Sequence, residues 1–213
     1  MKTLYKNNDI AIWGASGHAN FVKNILKLNG WNVIGVVVDS SYSYNNTYNN
    51  KLLGDENILD ILFKQGIRNF ALGFGDCKQR EIKSKYLNKL GFNITTSIHP
   101  SASIASNSNI GKGVIIGANV TIDPNVIINN YSIINNNVCI CHDSKIGTSV
   151  HICPGVSIAG NVNIKNRTWI GIGSIIKERI TIGHDSFIGA GSLVIEDIPP
   201  MKIAYGSPST VRN

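Results

Sequence analysis

From residue 98 to residue 199 an aliphatic side chain returns at every sixth position without a slip. The series is Ile98, Ile104, Ile110, Ile116, Ile122, Ile128, Ile134, Ile140, Ile146, Ile152, Ile158, Ile164, Ile170, Ile176, Ile182, Ile188 and Val194, which makes 17 consecutive hexads. The fifth place of each hexad is always small or β-branched, from Ala102 and Ser108 to Ser192 and Ile198. The second place holds glycine in six hexads: Gly111, Gly117, Gly147, Gly171, Gly183 and Gly189. An α-helix repeats about every 3.6 residues and a strand about every 2, so neither writes a period of six. Short units of fixed length that stack on one another do.

The repeat therefore predicts a parallel β-helix. One aliphatic side chain per short strand fills the axis, and small or branched residues sit near the corners. Glycine and asparagine meet the turn geometry there. After the repeat, Pro199-Pro200 breaks the pattern, and residues 200–213 are expected to form a tail that caps the open end.

The first 97 residues read differently. Asp9–Trp13 is a short apolar run followed by Gly14-Ala15-Ser16-Gly17-His18 and then by an amphipathic stretch, 19–28. Further strands are expected at 32–39, 69–73 and 92–97, with helices at 56–64 and 76–90 and a polar, Asn/Tyr-rich loop at 40–50. Such alternation predicts a small Rossmann-like parallel sheet with flanking helices, that is, an α/β domain at 1–97 joined to the solenoid at 98–199. The glycine turn offers backbone N–H groups at a helix start, where a phosphate can sit. Its spacing is not G-x-G-x-x-G, which argues against a dinucleotide.

Composition narrows the function. No apolar stretch approaches the roughly 20 residues of a membrane span. Residues 1–9 are polar and lack a signal-peptide core, so a cytoplasmic protein is expected, without a membrane partner. The net charge is +7, yet no dense run of Lys and Arg is interleaved with aromatics, which argues against a nucleic-acid partner. A basic balance does suit small anionic substrates. The four cysteines, Cys77, Cys139, Cys141 and Cys153, contain no CxxC pair, so they read as small residues in a reducing compartment and no metal site is expected.

A GASGH turn after the first strand, a small sheet domain and an uninterrupted hexapeptide solenoid together resemble one family. It is the sialic-acid O-acetyltransferase/bacillosamine N-acetyltransferase family of hexapeptide-repeat acyltransferases, and the resemblance covers essentially the whole chain. It implies a left-handed β-helix with three hexads per coil. It also implies transfer of acetyl from acetyl-CoA to the 4-amino group of a UDP- or dTDP-linked 4-amino-4,6-dideoxy sugar, in a homotrimer with active sites between chains. The alternatives are an O-acetyltransferase on sialic acid or a similar hydroxyl, and a non-catalytic solenoid that binds or scaffolds.

The same resemblance implies residue roles. The sugar nucleotide would meet Ser16, Gly17, His18, Asp39, Ser40 and Gly75. The family often carries two adjacent acids after the second strand; here the second is Ser40. Acetyl-CoA would meet His151, Gly160, Ile172 and Ala190, and Asn135 would stand near the reacting amine. The family's Glu-His-Asp/Glu pattern in the repeat becomes Cys141-His142-Asp143 here. A turn residue on a rigid prism points outward, so His142 is free to take a proton from an attacking amine. Asp143 can orient the ring and raise its basicity. Cys141 as an acyl-accepting thiol is the rival chemistry. His184 reads as a surface turn residue, and His99 as a residue between the domains.

Overall fold

The computed structural model describes residues 5–212. The chain divides into two compact units. One holds the chain up to Gly75 together with Ile82–Ser97; the other holds Asp76–Glu81 and everything from Ile98 onward.

The first unit is built on five parallel strands: β1 (Asp9–Trp13), β2 (Asn32–Val38), β3 (Leu52–Asp55), β4 (Asn69–Leu72) and β5 (Asn93–Ile94), in the order β3-β2-β1-β4-β5. The helices are α1 (Gly17–Leu28), α2 (Leu59–Lys64) and α3 (Cys77–Lys89). All five residues of β1 are buried, as expected of a central strand covered on both faces. From α1, Ala19, Val22, Ile25 and Leu26 are buried, one stripe at helical spacing.

Two differences from the sequence reading appear here. β3 was not expected: it is a four-residue edge strand with a glycine and no β-branched residue, so it carries little strand signal. The last strand is Asn93–Ile94 alone, and Ser97–Ile98 already begins the solenoid pairing.

The strand order reverses between β1 and its two neighbours, which is where α/β sheets place ligands. Two glycines let the chain close up at that point. A Cβ on Gly14, whose φ is +116°, would lie 2.8 Å from the Gly73 carbonyl oxygen; one on Gly73 would lie 2.6 Å from Ile12 Cγ2 and 2.7 Å from Ala19 Cβ.

The repeat forms 17 two-residue strands, from Ser97–Ile98 to Leu193–Val194, each ending on the first residue of a hexad. They form three parallel faces. Face 1 begins at Ser97–Ile98, face 2 at Ser103–Ile104 and face 3 at Asn109–Ile110. Residues 18 apart pair, as Ile122 with Ile140, so one coil is three hexads. The first-place isoleucines from Ile116 onward are buried in a single core with the fifth-place valines. This arrangement is consistent with a left-handed β-helix.

The glycines and asparagines divide into two roles that the repeat alone does not separate. The left-handed residue is the fourth of the hexad, with φ between +55° and +69° in 14 successive hexads from Gly113 to Gly191. Asn, Asp and Gly dominate that place because they enter this region most readily. The second-place glycines have another reason. A Cβ on Gly111 would lie 2.6 Å from Asn130 Oδ1 and one on Gly171 would lie 2.6 Å from Ala190 N, so these positions must be bare for the next coil to seat. Buried fifth-place hydroxyls also find partners at the same corner of the next coil: Ser132 donates to the Gly147 carbonyl and Thr168 to that of Gly183, both at 2.8 Å.

Residues 200–213 were expected as a tail. Within them Ile203–Gly206 pairs parallel to the Phe187–Ile188 strand and antiparallel to Ser209–Arg212, so the chain ends by extending face 1. The first turn of α3 belongs to this unit as well. Fully buried Arg80 donates from Nε to the Tyr131 carbonyl at 3.0 Å, and Glu81 pairs with Arg167 at 2.7 Å.

Candidate active site

His142 and Asp143 are the third and fourth residues of their hexad, in the turn from face 2 to face 3. Asp143 occupies the left-handed place, with φ +59°. Its Oδ2 lies 2.7 Å from His142 Nδ1. A carboxylate only accepts, so Nδ1 carries the proton and Nε2 presents its lone pair. The other carboxylate oxygen, Oδ1, accepts from Asn125 Nδ2 at 3.0 Å. The hydrogen bond from His142, then that from Asn125, hold the Asp143 carboxyl below its ordinary value, so it is an anion at neutral pH.

One coil above the ring is Gly160. A Cβ there would stand 2.7 Å from His142 Nε2 and 2.8 Å from Cε1. Gly160 thus leaves the space that the imidazole occupies. The His142 side chain remains 58% exposed, so its Nε2 edge can be approached from solvent. Cys141 is less apt for chemistry. Burial first, then Cys139 and Asp123, push its thiol above the ordinary value and away from thiolate.

The remaining solenoid candidates lie elsewhere. Asn135, Ile172 and Ala190 are in the turns from face 1 to face 2, at the opposite end of face 2 from His142. Asn135 Oδ1 accepts from Asn136 N at 2.8 Å, and Ile172 is 56% exposed. His151 begins a strand of face 1 and is 5% exposed, its ring centroid 4.1 Å from that of Trp169. Within one copy of the chain, then, only Asp143 and Gly160 of the predicted set come to His142.

The nucleotide candidates are at the carboxyl ends of β1, β2 and β4. Ser16 stands at the N-cap of α1 without capping it; its Oγ is a long 3.5 Å from the Gly73 carbonyl. The first turn of α1 holds no acidic residue, so nothing there competes with an anion for the helix start. His18 lies in that turn, its ring 5.4 Å from Phe21, and Gly75 precedes α3 after β4.

Asp39 accepts from Trp13 Nε1 at 3.0 Å and also from Lys83. Ser40 gives both its backbone N–H and its hydroxyl to the Glu56 carboxylate, at 2.7 and 2.8 Å. Glu56 therefore supplies a second carboxylate beside Ser40, from 16 residues along the chain. Sequence reasoning missed both Lys83 and Glu56. Nothing in their local patterns marks them; only the sheet topology brings them to the end of β2.

Among the described residues no three His, Cys, Asp or Glu side chains gather as a metal site, and no helix is long and apolar enough to cross a membrane.

With this geometry in view, known proteins give a consistent comparison. Residues 9–87 match the PglD N-terminal domain, and residues 161–196 match the bacterial transferase hexapeptide repeat. The chain thus joins a PglD-type N-terminal domain to bacterial transferase hexapeptide repeats. Among solved structures it is similar to PerB from Caulobacter crescentus, a perosamine N-acetyltransferase crystallised with CoA and GDP-perosamine. The TM-score is 0.90 at 29% identity, over 96% of this chain and 97% of that one. Structures of the same enzyme with one histidine replaced by asparagine or by alanine match as well. The fold is shared with the acetyltransferase domain of PglB from Neisseria gonorrhoeae in complex with acetyl coenzyme A. There the TM-score is 0.88 at 24% identity, over 97% of this chain and 100% of that one. No curated protein matches the chain by sequence.

Proposed function

We propose that this protein is an acetyl-CoA-dependent N-acetyltransferase acting on the amino group of a nucleotide-linked amino sugar. The observation that carries the reading is the His142–Asp143 pair, with Nδ1 bonded to an anionic carboxylate and Nε2 beside the bare Gly160. The amine nitrogen attacks the thioester carbonyl carbon, its proton passes to His142 Nε2, the C–S bond breaks, and the CoA thiolate leaves. Asp143 stabilises the imidazolium that forms. General-base help of this kind contributes about 10²–10⁴-fold, and alignment of amine and thioester supplies more.

The similarity to a GDP-perosamine enzyme supports a 4-amino sugar and adds guanine to the uracil and thymine expected from the resemblance. The diphosphate would lie at the start of α1, by Ser16, Gly17 and His18, with Gly75 lining the same crevice and Asp39, Ser40 and Glu56 reading hydroxyls or the base. The CoA arm would follow Gly160, Ile172 and Ala190, with Asn135 and His151 near the reacting groups.

Because His142 and the group Asn135, Ile172 and Ala190 stand at opposite ends of face 2, one chain cannot enclose the reaction. A homotrimer in which one copy's His142 turn faces a neighbour's Asn135 turn would. Both co-substrates are cytoplasmic metabolites, so the protein would work in the cytoplasm.

A thiol-release assay tests the reading. GDP-, UDP- and dTDP-linked 4-amino sugars should release CoA thiol, and free sialic acid should not. Turnover with sialic acid alone would make it an O-acetyltransferase. Light scattering should give the mass of three chains.

A further inference from the structure

The solenoid contains two His–Asp pairs in the same places of their hexads, His142–Asp143 and His184–Asp185. Both acids take the left-handed place, with φ +59° and +57°, and both accept from the histidine Nδ1, at 2.7 and 2.8 Å. They differ in what lies one coil before the acid. For Asp185 it is Arg167, whose Nε and Nη2 donate to the two carboxylate oxygens at 2.7 Å each. For Asp143 it is Asn125, whose Nδ2 gives one hydrogen bond, to Oδ1, at 3.0 Å. Asn125 is itself braced, since its Oδ1 accepts from Asn107 Nδ2 at 2.8 Å, which aims the amide N–H₂ at Asp143.

We propose that Asn125 is a positioning residue for acetyl transfer: it holds the Asp143 carboxylate against His142 while leaving the negative charge undivided. The proposal rests on His142 being the base. A neutral amide fixes the carboxylate rotamer with one bond and adds no charge. A guanidinium in its place would claim both oxygens, and its positive charge would oppose the imidazolium that forms when His142 takes the proton. The groups that shift the Asp143 carboxyl are His142 and Asn125. Around the pair stand Cys141 in the same turn, Cys139 on the strand before it, Lys145 on the strand after it, Asp123 one coil below and Gly160 and Asn161 one coil above. Glu178 and Arg179 follow only one coil further on.

The fold supplies its own controls for substitution. Arg167 and Arg179 occupy the fourth place with φ +58° and +63°, so Asn125→Arg fits the backbone at φ +63°. Gly113 and Gly155 occupy the same place, so Asn125→Gly removes the amide without strain.

The test is a nitrogen-15 NMR titration of His142 in the full-length protein, beside the pH profile of kcat/KM for acetyl transfer. In Asn125→Arg the His142 midpoint should move to lower pH than in the native protein. The acid limb of kcat/KM should move with it, and the plateau should fall about tenfold. Asn125→Gly should lower the plateau about threefold with the limb in place. In the reverse swap, Arg167→Asn should move the His184 midpoint to higher pH. An unmoved His142 midpoint in Asn125→Arg overturns the proposal alone. A moved midpoint with an unmoved kinetic limb removes His142 as the base, and the proposal with it.

Discussion

The two His–Asp pairs share hexad place, backbone conformation and hydrogen bond, yet they differ in what surrounds them. Above the His142 ring is Gly160, and the imidazole fills the space a side chain would take. His184 instead lines a cavity of about 600 Å³ with Lys165, Arg167, Asp197 and Pro199, in the turn from face 3 to face 1. Arg167 ties Asp185 to Glu81, so the second pair is part of an ion-pair network inside the second unit. A dipeptide on this fold acquires its chemistry from the residues one coil before and after it, 18 positions away in each direction.

The largest test separates the two histidines directly. His142→Ala should lower kcat about 10²–10⁴-fold, while His184→Ala should leave it within about twofold. Steady-state rates on both variants, with light scattering to show unchanged assembly, decide it. Equal losses would mean that the pairs are not functionally distinct. Next in size is Gly160→Ala. The added methyl would sit 2.7 Å from Nε2, so the ring must swing aside. We expect about a tenfold fall in kcat with little loss of stability, since an exposed ring has room to move.

How much of this was legible beforehand follows the reach of each signal. The solenoid was legible because every hexad repeats the same demand, an aliphatic residue inward and a small or β-branched one at the corner. His142 and Asp143 were legible because adjacent residues in a turn must be neighbours in space. The separate duties of second-place and fourth-place glycines were not, because the clash that bares Gly111 comes from Asn130, a coil away. Nor were Lys83 and Glu56, which meet Asp39 and Ser40 across 44 and 16 residues. β3 escaped because an edge strand of Leu52-Leu53-Gly54-Asp55 lacks alternation.

A smaller effect sharpens the contrast through pH. The hydrogen bond from Arg167, the largest influence, lowers the Asp185 carboxyl to about 2. A depressed carboxyl contributes stability above its unfolded value and loses it as pH falls through the folded one. The contribution of the second pair should therefore be complete above about 4 and disappear between there and about 2. Arg167→Met should lower stability by about 1 kcal/mol near neutral pH, allowing for solvent screening of a partly exposed network. It should also flatten the acid slope in that window. Urea unfolding at a series of pH values measures both, and an unchanged slope would show that Arg167 does not control Asp185.

The smallest expected change concerns the residue beside His142. Cys141 stands where the related pattern has an acid, and its thiol is pushed up by burial, Cys139 and Asp123. A thiol held away from thiolate is a poor acyl acceptor, and direct transfer from CoA to the amine has no step for it. Cys141→Ser keeps the size and the turn, so kcat should stay within about twofold, and no acetyl adduct should be seen by mass spectrometry when the native protein is mixed with acetyl-CoA alone. Cys141→Glu restores the acid before His142 and places a second carboxylate near the ring. If the pair gains basicity from added negative charge, the acid limb of kcat/KM should move to higher pH. A covalent adduct on Cys141, or a collapse of rate in the serine variant, would transfer the chemistry from the imidazole to the thiol.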